Sequence, residues 1–203
     1  HRCLGPRPRG MGRKPEVFRM SSSGDICIET SRLLLRPPRR EDFDAWAELA
    51  ADEEVMRTLG GVQPRSVAWR SFLVVAGGWE VQGFSPFSVI EKSSGRWIGR
   101  VGPLYPEGWP GKEIGWTLAR SAWGQGYASE AAHASIDWAF DRLGWDEVVH
   151  CIEDDNPASK RVAARMGARP LREAYLPPPF ETVRVMLWGQ TRDEWNGRRE
   201  SRA

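Results

Sequence analysis

The sequence predicts an α/β fold of the α+β kind: one central, mostly antiparallel sheet flanked by helices. Three observations carry this. Apolar residues alternate in short runs that read as strands. Two stretches carry apolar residues at helical spacing, and one is bounded by glycines. Three strand-like runs follow one another with only short connections, which suits antiparallel pairing. The chain has 203 residues, 40% of them hydrophobic and 28% charged, which suits one domain with a single sizeable core.

The elements follow in order. Ile26 to Arg36 alternates around Leu33-Leu34-Leu35 and reads as a strand, ended by Pro37-Pro38, because proline removes backbone donors. Glu41 to Ala51 reads as a helix burying Phe43, Trp46, Leu49 and Ala50, and Ser66 to Val75 as a second, with Val67, Phe72 and Val75 available for burial. Phe84 to Glu91 and Arg96 to Leu104 form a hairpin about Lys92-Ser93-Ser94-Gly95. Pro106 to Gly111 is a loop, and Glu113 to Ala119 the next strand. A long helix then carries Ala128, Ala132, Ile136, Ala139, Phe140 and Leu143 on one face and stops at Gly144. Glu147 to Glu153 is a strand, and Asn156-Pro157 opens a short helix ending near Gly167. Strands at Leu171–Tyr175 and Val183–Trp188 close the domain, joined through Pro177-Pro178-Pro179. Residues 25–195 are the expected domain, residues 1–24 a basic leader without order, and residues 196–203 a polar tail.

Charge and cysteine usage exclude several classes. The first twenty residues hold six basic side chains and one acidic, whereas the remainder holds twenty-three basic and twenty-six acidic. The expected domain is mildly acidic, which argues against a nucleic-acid-binding face. Upstream sequence without function is the first reading of the leader; an RNA- or ribosome-contacting arm is the second. Cys3, Cys27 and Cys151 form no CxxC pair and the three histidines are scattered, so neither a metal site nor a disulfide framework is expected. Reduced thiols suit a cytoplasmic protein. No apolar run is long enough to span a membrane. A homodimer is open to such a domain.

The chemistry centres on the strand 113–119, the turn Trp123-Gly124-Gln125-Gly126-Tyr127-Ala128 and the helix behind it. Two glycines at this spacing let the backbone wrap a ligand. The first-turn N–H groups of the helix lack internal partners and carry the positive end of its dipole, which suits a pyrophosphate. A bare strand-to-helix turn is the competing reading of any isolated G-x-G. A dinucleotide fingerprint fails, because Ser129 stands where the third glycine belongs, and no Gly-Lys-Ser/Thr follows as an ATP loop requires.

Glu113 to Ala132, EIGWTLARSAWGQGYASEAA, resembles the cofactor-binding core of the GNAT acetyltransferase superfamily. Asn156-Pro157-Ala158-Ser159 with Arg161-Val162 and Met166-Gly167 resembles the next block of that family. Glu29-Thr30-Ser31-Arg32-Leu33-Leu34-Leu35-Arg36 is similar to the branch that acetylates the N-termini of ribosomal proteins. The likeness covers about residues 28–190. It implies an acetyl-CoA-dependent N-acetyltransferase whose acceptor is a primary amine, on a protein N-terminus or a small molecule. It also implies that backbone groups of Trp116, Thr117 and Leu118 pair with the pantetheine arm, and that N–H groups from Trp123 to Ala128 hold the pyrophosphate. Glu113 takes the place of the general base; an exposed edge carboxylate or a partner for Arg100 is the plainer reading. The tyrosine that many relatives use as acid is replaced by Ala163, leaving Ser159 to stabilise the leaving sulfur or merely cap its helix. Asn156 caps the helix, touches the cofactor, or does both. Tyr127 packs beside the cofactor or in the core. Arg120 stands next to Ser121, where the family often carries Arg or Gln. Trp109, Trp116 and Trp145 line the acceptor pocket or the core, and His133 and His150 read as structural. A non-catalytic acyl-CoA sensor is the alternative class, suggested by the missing tyrosine.

Overall fold

The computed structural model describes residues 26–200; the leader assigned to residues 1–24 lies outside them. Within that span the expected single first strand is two. β1 (Ile28–Glu29) and β2 (Leu33–Arg36) fold back on each other through Thr30, whose N–H bonds to the Leu33 carbonyl at 2.9 Å. A 3₁₀ turn (Arg40–Asp42) leads into α1 (Phe43–Ala50), followed by the one-turn α2 (Glu53–Met56). Asp52 starts α2 by accepting the N–H groups of Glu54 and Val55, the usual work of an N-cap carboxylate.

The next helix, α3, runs Arg65–Val81, six residues past its expected end, through Gly77-Gly78. Here a Cβ on Gly78 would lie 2.9 Å from the Ser85 hydroxyl, so the missing side chain lets the returning chain pass close. Phe72 and Val75 are buried as expected, but Val67 faces outward and Ala68 takes its place in the core.

Strands β3 (Phe87–Glu91), β4 (Trp97–Leu104) and β5 (Glu113–Leu118) form the expected antiparallel meander. Helix α4 (Tyr127–Arg142) then crosses the sheet to β6 (Glu147–Ile152), and α5 (Pro157–Arg165) precedes β7 (Arg169–Tyr175) and β8 (Arg184–Thr191). The eight strands lie in the order β1-β2-β3-β4-β5-β6-β8-β7. Every pairing is antiparallel except β5 with β6.

The two sheet faces are covered differently. Leu33, Leu35, Phe87, Val89, Val101, Ile114 and Leu118 meet Ala131, Ala132, Ile136, Ala139 and Phe140 of α4. A separate aromatic cluster of Phe43, Trp46, Phe72 and Trp69 joins α1 to α3, with Trp97 of the sheet packed against it. Asp42 ties this layer to the sheet. Its carboxylate accepts both Arg36 guanidinium N–H groups at 2.8 Å, the Arg39 N–H at 2.9 Å and the Ser88 hydroxyl at 2.7 Å.

A last helix, α6 (Arg192–Glu200), occupies residues expected in part as a polar tail. The signal for it was present. Thr191 and Glu194 form a capping box, the Glu194 N–H bonding the Thr191 hydroxyl and the Thr191 N–H bonding the Glu194 carboxylate. Its one apolar anchor, Trp195, is buried and donates to Asp137 of α4.

Burial alone pushes the Asp42 carboxyl up, but Arg36, the Arg39 N–H and Ser88 together hold it below its ordinary range. The stability this carboxylate contributes is therefore complete above the ordinary carboxylate value and is lost as pH falls through the lowered one. Asp42→Asn leaves Arg36 buried without its counter-charge and should cost about 3–5 kcal/mol in urea denaturation at neutral pH. The variant should also lose that acid-side slope; a change below about 1 kcal/mol would show that Asp42 does not anchor the layer.

Candidate active site

The site begins where β5 and β6 part. Their parallel ladder is confined to one position, Glu113 opposite Val149, with the Val149 N–H on the Lys112 carbonyl at 2.9 Å. The next rung of a parallel ladder would join the Cys151 N–H to the Ile114 carbonyl. Instead the Cys151 N–H goes to the Glu113 carboxylate at 3.1 Å, and the Ile114 carbonyl goes to His150 Nδ1 at 2.7 Å. Side chains replace the backbone bonds on both strands, and beyond this point the strands diverge.

Divergence leaves an open edge on β5. Against β4, Pro103 stands opposite Ile114; having no N–H, proline fits the non-hydrogen-bonded position. Alternation then turns the backbone groups of Trp116 and Leu118 toward the split. Thr117, expected among them, directs its backbone to Arg100 on β4 instead. The Leu118 carbonyl is covered by the Trp123 indole N–H at 2.9 Å. The Trp116 N–H and C=O and the Leu118 N–H remain for a strand-like ligand.

The turn above this edge keeps its two glycines in the left-handed region. Gly124 and Gly126 have φ of +74° and +79°, a region that favours glycine. A Cβ on Gly124 would meet nothing within 4 Å. Among the described residues, the N–H groups of Gly124, Gln125, Gly126, Tyr127, Ala128 and Ser129 find no acceptor. Trp123 drops out of the expected set, because its N–H bonds to the Arg120 carbonyl at 3.1 Å. Tyr127 offers only its backbone. Its ring is buried in the core and its hydroxyl donates to Glu91 at 2.7 Å.

Arg120 does not serve the cradle; it pairs with Asp52 at 2.7 Å. Sequence reasoning missed the arginine that does stand there. Arg32 donates to the Gln125 carbonyl at 2.9 Å, covers the Tyr127 ring and pairs with Glu130 at 2.7 Å. Glu130 also accepts from the Thr30 and Ser31 hydroxyls and the Arg32 N–H. Thr30, Ser31 and Arg32 thus clamp the start of α4, and Arg36 holds Asp42. These parts of the opening motif serve the framework rather than an acceptor.

On the opposite face, Glu113 is 7% exposed, so it is no solvent-exposed edge group. It accepts the Trp109 indole N–H at 2.6 Å and forms no ion pair with Arg100. Burial raises its pKa, opposed by Trp109, Cys151 and the charge of Arg100. A carboxyl raised in this way is a better proton acceptor than an exposed one. Cys151 lies against it with a thiol pushed far up by burial and the neighbouring carboxylate. The thiol stays protonated and inert.

Across the split, the Asn156 side-chain oxygen caps α5 through the Ser159 N–H, and its amide nitrogen donates to Thr58. The Ser159 hydroxyl accepts from the Trp116 indole at 3.2 Å. Its own proton finds no acceptor among the described residues. Ala163 is fully buried. His150 is buried and pulled down to about 4 by desolvation, so it is neutral. His133 lies on α4 beside Asp137 and Trp195, and Trp145 is core. Among the described residues no His, Cys, Asp and Glu cluster is placed to hold a metal, and no helix is long and apolar enough to cross a membrane.

A sheet split beside an unpaired helix mouth, with a buried carboxyl on the far face, makes a candidate cleft in a mixed α/β domain. The family described as acetyltransferase (GNAT) domain matches residues 32–169, and the chain belongs to it. It is an acetyltransferase of that family. Over 135 residues it is 31% identical to the uncharacterized N-acetyltransferase p20 of Bacillus licheniformis, covering 65% of this chain and 76% of that one. It is 37% identical over 87 residues to the uncharacterized protein YkkB of Bacillus subtilis, covering 42% of this chain and about half (51%) of that protein's length. An acetyltransferase crystal structure from Agrobacterium tumefaciens superposes with a TM-score of 0.73 at 28% identity, covering 89% of this chain and all of that one.

Trp109→Phe removes a donor that favours the ionised form of Glu113. The Glu113 titration, followed by carbon-detected NMR of the labelled carboxyl, should move up by about one to two pH units. A titration that stays in place would separate Trp109 from the tuning of this group.

Proposed function

We propose that this chain moves the acetyl group of acetyl-CoA to a primary amine by direct attack, with Glu113 as general base. The observation that carries the reading is the split: a free β5 edge running from the helix mouth toward a buried carboxyl. The pyrophosphate would rest on the N–H groups of residues 124–129, and the pantetheine arm along Trp116 and Leu118. Unpaired donors and the side-chain-free Gly124 fit such a group.

In the reaction a neutral amine attacks the thioester carbonyl, the C–S bond breaks, and the thiolate leaves. The Leu118 N–H lies on the free edge, suited to the oxyanion of the tetrahedral intermediate. Glu113 receives the amine proton, directly or through water. The Ser159 hydroxyl hydrogen-bonds the leaving sulfur in place of the family's tyrosine. The work asked of the base depends on the acceptor. An α-amine titrates near ~7.8 and a lysine near ~10.4, a gap of about 3.5 kcal/mol in deprotonation. An α-amine, of a protein N-terminus or a small molecule, therefore asks less of a carboxylate base than a lysine does.

Glu113→Gln should lower kcat by roughly 10²–10⁴-fold with acetyl-CoA affinity retained, measured as thiol release and by calorimetry. Wild-type kcat/KM should fall as pH drops through the raised Glu113 pKa, and the variant should lack that limb. An unchanged kcat would remove Glu113 from the chemistry. Gly126→Val places a branched side chain at φ +79° within the cradle and should weaken acetyl-CoA binding at least about tenfold, with circular dichroism confirming the fold. Undiminished affinity would reject the cradle.

A further inference from the structure

Resting on that reading of the site, we propose that Arg100 binds a carboxylate on the acceptor. The preferred substrate is then a small amine that carries its own carboxylate, in the manner of a free amino acid. The reasons lie on the sheet face that holds Glu113. Arg100 stands opposite Ser88 on β3 and Thr117 on β5, and alternation along β5 puts Glu113, Gly115 and Thr117 on that same face.

The polar groups of the neighbouring layer are already engaged, and Glu113 acts on Arg100 only as a charge, without an ion pair. Ser88 donates to Asp42, and Asp42 is filled by Arg36 and Arg39. Trp97 donates to Ser88. The Arg100 guanidinium lies over the Trp46 ring, 4.8 Å from its centre, and among the described residues it has no hydrogen bond and no carboxylate within ion-pair distance. Arg36, Arg57 and Arg120 each have an aspartate. Desolvation draws the Arg100 pKa down to about 10, which leaves it charged at neutral pH. A half-buried guanidinium stacked on an indole presents a planar fork of donors without an acceptor, and the group that fits such a fork is a carboxylate.

Between the two charged groups, Gly115 puts no side chain on the sheet. Glu113 and Thr117 are four residues apart, about 13 Å along the strand at ~3.3 Å per residue. Gly115 lies between them, and the Glu113 carboxylate leans over it, 3.7 Å from where a Cβ would stand. A small zwitterion can then lay its amine toward Glu113 and its carboxylate toward Arg100. The pairing also helps the chemistry. A carboxylate beside an ammonium holds its proton, and a carboxylate neutralised by a guanidinium holds it less, which eases transfer to Glu113. A protein N-terminus offers an amide in place of this carboxylate, so it lacks the group that Arg100 is built to meet.

The test uses the full chain with acetyl-CoA and matched acceptors: phenylalanine and alanine, their primary amides, and short peptides beginning with the same residues. Thiol release should favour each free amino acid over its amide and peptide by at least about tenfold in kcat/KM, expressed in KM, as expected of a charge-assisted pair. Arg100→Gln should bring acid and amide within about threefold of each other, and Arg100→Lys should restore part of the preference. Amides or peptides turned over as well as the acids, or a preference that survives Arg100→Gln, would overturn the assignment. A binding measurement keeps it separate from the proposed reaction. With coenzyme A present, N-acetylphenylalanine should bind the wild type at least about tenfold tighter than its amide, and Arg100→Gln should equalise them. Equal binding to the wild type would overturn the Arg100 assignment even if no amine were acetylated. A failure of thiol release with this binding preference intact would instead count against the transfer reaction alone.

Discussion

Two strands that pair at one position and then separate are the constraint on which the rest of this molecule depends. Left to themselves, adjacent parallel strands continue to pair, because an unmade buried backbone bond is costly. Here that cost is removed chemically. The carboxylate of Glu113 serves the orphaned Cys151 N–H, and the imidazole of His150 serves the orphaned Ile114 carbonyl. Both side chains come from the strands that are parting. The separation is thus written into β5 and β6 themselves and does not wait for a ligand. Burial in this position is also what raises the Glu113 pKa, so the group that holds the strands apart is tuned by doing so.

Around the split the molecule divides its labour by face. Helix α4 covers one side and presents its free N–H groups at the mouth, held there by Glu130 and the β1–β2 turn. The α1–α3 layer covers the other side and is held to the sheet by Asp42. The donor and the acceptor would then approach from different sides and meet at the free edge of β5. The separation explains why two polar hubs, Glu130 and Asp42, each collect several donors. Each fixes one layer against the same sheet, and the reacting groups are registered through it.

The broad architecture was legible because strands and helices of this chain announce themselves by period. The meander 87–118 and the helix 127–142 follow directly from spacing and from Gly144. The glycine turn was legible from Gly124 and Gly126, which stand between a strand and a long helix where the backbone must take a positive φ. What escaped the sequence involved partners distant in the chain. Nothing local says that Arg32 reaches Gln125 and Glu130, or that Arg120 turns to Asp52. Thr117 was misplaced because strand alternation depends on where Pro103 lies across β4. Helix α3 was drawn six residues short, because the close passage of Ser85 that makes room for Gly78 lies outside the helix. Helix α6 was overlooked although its Thr191–Glu194 box was visible, because its apolar content is a single tryptophan.

Of the indoles along the chain, that of Trp123 is the most exposed, 45% at the rim of the glycine turn. Its emission is therefore the most solvent-relaxed in the molecule, while the others report drier surroundings. Any diphosphate-bearing molecule that settled against the neighbouring amides would shed water from this ring and move its fluorescence to shorter wavelength. The fold thus carries an optical gauge at the entrance to its own cleft, with no label attached.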